Sequence, residues 1–155
     1  MIIRKASLDD YSLFVEMNQA IQKLHSDAEP TFFKSKIQFS KENFEKFVTQ
    51  PEFFMNLGFE DKTCVGYLFS EKLLLPESPY TFACNMLYIR HLYVVPEMRG
   101  RGFAKQFLSL AKEIAREQQV ANIELDSWSF NQEAIGLFKS VGFNTRKERL
   151  ILRRD

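Results

Sequence analysis

Cysteine, histidine, tryptophan and proline are scarce in this 155-residue chain, with two, two, one and five residues. Cys64 and Cys84 form no C-x-x-C pair and sit in no Cys/His cluster, so neither a metal-ligand set nor a disulfide framework is expected. Free thiols fit a reducing compartment, and a cytoplasmic location is the expectation. No apolar run is long enough to span a bilayer. Met1, Ile2 and Ile3 give way at once to Arg4 and Lys5, unlike a secretory leader. A charge of one sign is also lacking. Lys and Arg number 21 against 20 Asp and Glu, a net charge of +1, which gives no reason to expect nucleic acid or a membrane surface as partner. The basic end (Arg146, Lys147, Arg149, Arg153, Arg154) is interleaved with other residues and reads as a solvated face. Glycine too is scarce, at six residues, so two of them within three positions, Gly100 and Gly102, stand out.

Apolar residues are plentiful, at 45%, and phenylalanine supplies 16 of them. That is enough to bury one core in a single domain spanning 1–155. A short strand is predicted over 2–6. Ser7, with Asp10 three residues on, marks a helix start, and Tyr11, Phe14, Asn18, Ile21 and His25 share one face of that helix. Glu29-Pro30 breaks it. A second helix is predicted over 40–49, then strands over 53–60 and 64–75 joined by an Asp61-Lys62 turn. The segment 84–94 is apolar on most positions and reads as an interior strand. A helix over 101–118 carries the stripe Phe103, Phe107, Leu110, Ala111, Ile114 and Ala115. A strand over 123–127 follows, parallel to 84–94 because a helix connects them. A last helix over 131–141 ends at Gly142. Residues 143–153 are expected to add one or two terminal strands.

The junction Val94-Val95-Pro96-Glu97-Met98-Arg99-Gly100-Arg101-Gly102-Phe103-Ala104-Lys105 carries the chemistry. A strand runs into it and a helix runs out. First-turn N–H groups lack partners and the helix dipole adds positive charge, so the spot attracts phosphate. Gly100 and Gly102 remove side chains that would block approach. Arg99, Arg101 and Lys105 add formal charge. By itself such a loop also suits a plain turn. Asn131-Gln132-Glu133-Ala134 opens the last helix and Gly142-Phe143 closes it.

The ordered set V-x-P-x-x-R-G-x-G-x-A, strand, N-x-x-A and G-F, over about residues 85–145, resembles the GNAT family of acetyl-CoA-dependent N-acetyltransferases. The resemblance implies an α+β, three-layer fold: a mixed, mostly antiparallel, splayed sheet with helices on both faces. It implies acetyl-CoA as co-substrate, with no metal. Leu92, Tyr93 and Val94 would meet the pantetheine arm in the splay. Arg99, Gly100, Arg101, Gly102, Ala104 and Lys105 would hold the diphosphate, and Asn131 and Phe138 would flank the arm. Asn131 reads equally as a helix N-cap, and Phe138 as core. The reaction implied is acetyl transfer to a primary amine, on a small molecule or a protein, by direct attack in a ternary complex. A homodimer is common in similar proteins.

A lysine-like amine, with a pKa of about 10.4, is neutral in only about one part in 10³ to 10⁴ at pH 7, which costs roughly 4–5 kcal/mol unless a base or a shifted pKa helps. Relatives carry a glutamate in the interior strand at positions matching Tyr88 or Arg90 and a tyrosine at the position of Phe138. Neither is present here. His91 is then the candidate base, with a hydrogen-bonded core histidine as the alternative. Side-chain alternation places Arg90 opposite His91, where it would clamp a substrate carboxylate or form an internal ion pair. His25, Asp27 and Glu29 lie in a stretch that resembles the acceptor-side loop and are candidate contacts of the acceptor amine. Trp128, just beyond the strand over 123–127, would wall the acceptor pocket or pack the splay, and Asp126, near the end of that strand, reads as a second acidic contact or a strand-end cap. Two rivals remain. One is a non-catalytic acyl-CoA-binding module of the same fold. The other is a dinucleotide-binding domain, which would place the glycine loop after the first strand.

Overall fold

The computed structural model describes residues 1–154. Five strands form one sheet in sequence order: β1 (Ile2–Lys5), β2 (Phe53–Glu60), β3 (Thr63–Leu75), β4 (Cys84–Val94) and β5 (Asn122–Leu125). The first four are antiparallel neighbours, and β4 and β5 run parallel. Helices α1 (Tyr11–Ala28) and α2 (Lys41–Thr49) lie between β1 and β2. Helix α3 (Phe103–Glu117) joins β4 to β5, and α4 (Gln132–Ser140) follows β5. This is the α+β architecture expected, with a mixed and mostly antiparallel sheet.

Each face of the sheet buries its own core. On one side Val65, Leu68, Leu87 and Ile89 pack beneath Phe103, Phe107, Ala111 and Ile114 of α3, with Leu137 and Phe138 of α4 at the margin. On the other, Met55, Leu57, Tyr67 and Phe69 pack beneath Phe14 and Met17 of α1 and Phe44 and Val48 of α2. Phe14, Phe44 and Phe107 are fully buried, each stabilising the fold by about 2–3 kcal/mol. The abundant phenylalanine therefore divides between both layers. Asp10 accepts the Ser7 backbone N–H at 2.7 Å, as the sequence spacing predicts, and also takes two bonds from Arg4 at 2.7 and 2.8 Å.

Two expectations are corrected. Residues 143–154 carry no strand. Between Asn144 and Arg149 neither alternate set of side chains is apolar, so a strand there would have no face to bury. The apolar residues that follow, Leu150, Ile151 and Leu152, are exposed. Ion pairs of Arg146 with Glu124 and of Arg153 with Glu29 tether the segment instead.

The second correction concerns β4. Phe69 pairs with His91 and Ser70 with Ile89, so Arg90 has no partner in β3 and forms a bulge. The bulge breaks the side-chain alternation. Leu87 and Ile89 pack under α3, whereas His91 reaches Asn18 of α1 and Arg90 pairs with Glu71, which lies in β3 two residues beyond Phe69. Arg90 and His91 thus share the α1 side of the sheet rather than facing opposite sides.

Candidate active site

The parallel pairing of β4 with β5 ends at Ile89 and Leu125. β4 continues for five more residues, to Val94, held only by β3. Beyond Ile89 the edge that faced β5 is therefore open, and the two strands part. Val95 donates its N–H to Val65 O of β3 at 2.9 Å. Successive backbone groups point to opposite edges of an extended strand, so the N–H groups of Val94 and Leu92 point into the gap. A buried backbone donor needs a partner, and an amide-bearing ligand laid along this edge would supply one.

The gap leads to the start of α3. A 3₁₀ turn (Pro96–Met98) reverses the chain after β4. Gly100 and Gly102 then take φ of +74° and +82°, the left-handed region that favours glycine. Gln106 is the first α3 residue whose N–H bonds back, to Gly102 O at 3.2 Å. The N–H groups of Phe103, Ala104 and Lys105 have no backbone acceptor among the described residues. A Cβ built on Gly100 or Gly102 meets nothing within 4 Å, so open space lies above the cradle. These features fit a diphosphate.

The cations around the cradle have different surroundings. Arg101 pairs with Glu60 at 2.7 Å and lies 5.2 Å from the centre of the Phe103 ring. Arg99 donates from Nε to Val94 O at 3.2 Å and reaches Glu133 of α4 at 3.4 Å. It ties the end of β4 to the first turn of α4. Lys105 is exposed and makes no ion pair among the described residues. Asn131 caps α4, its side-chain oxygen accepting the Ala134 N–H at 3.2 Å. Phe138 is half-buried and sits edge-on to Phe143 at 5.7 Å.

On the α1 side, His91 is fixed by a polar triangle. Its Nδ1 lies 3.1 Å from both the Tyr67 hydroxyl and Asn18 Nδ2, and Asn18 also donates to Tyr67 at 3.1 Å. Tyr67 is fully buried. With its oxygen accepting from Asn18, its proton goes to His91 Nδ1, which leaves the imidazole hydrogen on Nε2. Burial, with the nearby His25 and Arg90, lowers the His91 pKa to about 4. The ring is neutral at physiological pH.

Sequence reasoning did not point to Glu71, Tyr88, Tyr67 or Asn18 as site residues. Glu71 is largely buried and takes the Arg90 guanidinium. Tyr88 donates its hydroxyl to Asp126 at 2.9 Å, just past the point where β4 and β5 separate. Burial and that carboxylate push its pKa up to about 12. Only the bulge brings Arg90, His91 and Glu71 to one face, and a two-residue alternation cannot signal it.

His25, Glu29 and Trp128 come together at the far end of α1. His25 lies 4.9 Å from Phe33 and 6.4 Å from Trp128 between ring centres. Burial lowers its pKa. Glu29 holds Arg153 at 2.5 Å. Asp27 pairs with Lys23 at 2.6 Å on the exposed side of the helix. Two shallow surface clefts, of about 440 and 480 Å³, flank the α1 end and the 30–35 loop. Neither is lined by a residue of β4, β5 or the β4–α3 junction. Among the described residues no cluster of His, Cys, Asp and Glu could hold a metal ion, and no helix is long and apolar enough to cross a membrane.

Comparison with known proteins gives one consistent result. The sequence profile of the Acetyltransferase (GNAT) family matches residues 18–143. Human N-acetyltransferase 8B is 35% identical over 69 residues, 44% of this chain and 30% of that protein. The uncharacterized N-acetyltransferase YjgM of Escherichia coli (strain K12) is 36% identical over 55 residues, 36% of this chain and 33% of its own length. The chain thus spans about a third of these curated relatives. Among solved structures, a tetramutant of the BH1408 protein from Bacillus halodurans superposes with a TM-score of 0.93 at 22% identity, covering 99% of this chain and 100% of that one. A predicted acetyltransferase from Clostridium acetobutylicum, solved with acetyl-CoA, gives 0.74 at 21% identity over 98% of this chain and 95% of its own. At such identities these likenesses speak for the fold alone. The profile match extends over most of the chain, through the β4–α3 junction and the opening of α4, and with it the protein belongs to the GNAT acetyltransferase family.

Proposed function

We propose that this chain transfers the acetyl group of acetyl-CoA to a primary amine by direct attack in a ternary complex. The observation that carries the reading is the continuity of the open β4 edge with the unpartnered N–H groups at the start of α3. One run of backbone thereby offers partners to an amide-bearing arm and then to a diphosphate. Leu92, Tyr93 and Val94 would line the arm. Gly100 to Lys105 would hold the phosphates, Lys105 supplying the uncommitted cation and Arg99 bracing the strand end. Asn131 and Phe138 would flank the arm from α4. Family membership, and a solved relative of the same fold that holds acetyl-CoA, support the choice of ligand.

Acetyl-CoA supplies an activated thioester carbonyl. The chain's own part is to orient that carbonyl, stabilise the charge that grows on its oxygen, and present the amine uncharged. The Val94 N–H, aimed into the gap, is the donor for the oxygen. His91 enters as a fixed hydrogen-bond donor rather than as a strong base. A group with a pKa of about 4 would take a proton from an ammonium near 10.4 only at a cost of roughly 9 kcal/mol. The acceptor therefore docks as the ammonium and reacts as its minor free-amine form, the proton passing to water. The unpaired cysteines, Cys64 and Cys84, support placing the protein in a reducing compartment such as the cytoplasm.

A non-catalytic acyl-CoA-binding module is the second reading. Phe138, half-buried against Phe143, brings no hydroxyl to protonate a departing thiolate. Release of free CoA from acetyl-CoA, followed with a thiol reagent across a panel of amines, separates the two. Amine-dependent release supports transfer. Saturable acetyl-CoA binding with no release for any amine would establish the binding module.

A further inference from the structure

Five rings from two separate chain segments meet beside the splay. His25, Phe32 and Phe33 come from the end of α1 and its following loop. Trp128 and Phe130 come from the loop after β5. Phe33 lies 4.9 Å from Trp128 and 5.0 Å from Phe32, Phe32 lies 5.5 Å from Trp128, and Trp128 stacks on Phe130 at 6.0 Å and 15°. The cluster is not closed off as a core: Phe32 is 70% exposed and Trp128 41%. Its place is fixed on both sides. His25 is seven residues beyond Asn18 on α1, so the rings begin about 10 Å along the helix from the His91 triangle. Trp128 is two residues beyond Asp126, which takes the Tyr88 hydroxyl at the mouth of the gap.

The carboxylates on these two segments are unequal. Asp27 is neutralised by Lys23 and Glu29 by Arg153. Asp126 accepts only the Tyr88 hydroxyl and has no cationic partner among the described residues. One uncompensated carboxylate beside a wall of rings matches one ammonium carried on an aromatic group. A polycation would need several free acids, and the ring-bearing segments do not offer them.

We infer that the acceptor is an aromatic monoamine, its ring seated on the Phe32, Phe33 and Trp128 faces and its amine steered to the gap by Asp126. The inference rests on the acetyl-transfer reading and names the substrate class for that site. The test measures kcat/KM of the full chain with acetyl-CoA for 2-phenylethylamine, n-butylamine and spermidine. Acetyl-CoA binding is followed separately by calorimetry. The expected order places 2-phenylethylamine about tenfold or more above both others, the discrimination that one well-seated apolar group can supply. Trp128→Ala should lose more activity toward 2-phenylethylamine than toward butylamine. Phe33→Ala serves the same purpose should the tryptophan variant fail to fold. Asp126→Asn should raise KM for both monoamines. Preference for spermidine, or equal losses for the two monoamines in both ring variants, overturns the inference and leaves acetyl transfer standing. Binding of acetyl-CoA without turnover of any amine overturns it as well. Failure to bind acetyl-CoA at all instead overturns the reading on which it rests.

Discussion

At the scale of single residues, protonation states decide what the site can do. Asp10 receives two bonds from Arg4 and others from Ser7, and its pKa falls to about 2, chiefly through the Arg4 hydrogen bonds. Its folded value lies below the unfolded one, about 3.9. The stability it contributes is therefore fully present above pH 4 and is lost as the pH falls through 2. Because Arg4 is half-exposed, the pair is discounted to about 1–2 kcal/mol. Asp10→Asn should cost that amount at pH 7 and flatten the fall in unfolding temperature between pH 4 and 2, read by circular dichroism. An unchanged acid slope would remove Asp10 as its source. His91 gives the second prediction. Held neutral with a pKa of about 4, it contributes no titration near 6.5. The logarithm of kcat/KM should rise with unit slope from about pH 6 toward the acceptor's own pKa. A bend near 6.5 that vanishes in His91→Gln would restore it as the base.

At the scale of elements, most of the framework was legible in the sequence. Apolar periodicity marked α3, the Ser7–Asp10 and Asn131–Ala134 spacings marked helix starts, and Gly142, at φ +103°, ends α4 where expected. The bulge at Arg90 was not legible. It depends on which β3 residue each β4 residue faces, and no local pattern records that pairing. The fit of β3 to the end of β4 is equally non-local. A Cβ on Gly66 would stand 2.1 Å from Tyr93 O and 3.0 Å from the Val94 Cα, both backbone atoms that cannot rotate aside. Gly66→Ala should therefore displace the open edge, costing about 1–3 kcal/mol of stability in a urea melt and weakening acetyl-CoA binding by calorimetry. Normal affinity would place the arm elsewhere. Gly102→Glu acts on the next element. Space is free there, but φ is +82°, so a side chain brings modest backbone strain together with charge and bulk in the cradle. It should abolish CoA binding while the protein stays folded. Gly102→Ala, carrying the strain alone, should lose much less. Unchanged affinity in the glutamate variant would contradict the diphosphate assignment.

At the scale of the whole molecule, the question is where the sheet ends. β5 is an edge strand of four residues, and the segment that follows α4 does not extend the sheet. Leu150, Ile151 and Leu152 are 88%, 77% and 91% exposed and contribute no core. The Arg153–Glu29 pair, with its arginine 60% exposed, belongs to the class worth about 0–1 kcal/mol. Truncation after Arg149 removes both and should shift the unfolding free energy by no more than about 1 kcal/mol. A terminal strand packed on β5 would bury those three side chains at about 1.5–3 kcal/mol each, and its loss would lower stability several times more. Denaturant melts of the full and truncated chains, read with the amine assay, distinguish the cases. A large loss of stability would mean that the sheet extends past β5. A small loss of stability with a large rise in KM would mean that the tether from Arg153 to Glu29 shapes the acceptor wall, since Glu29 sits between His25 and the Phe32–Phe33 pair.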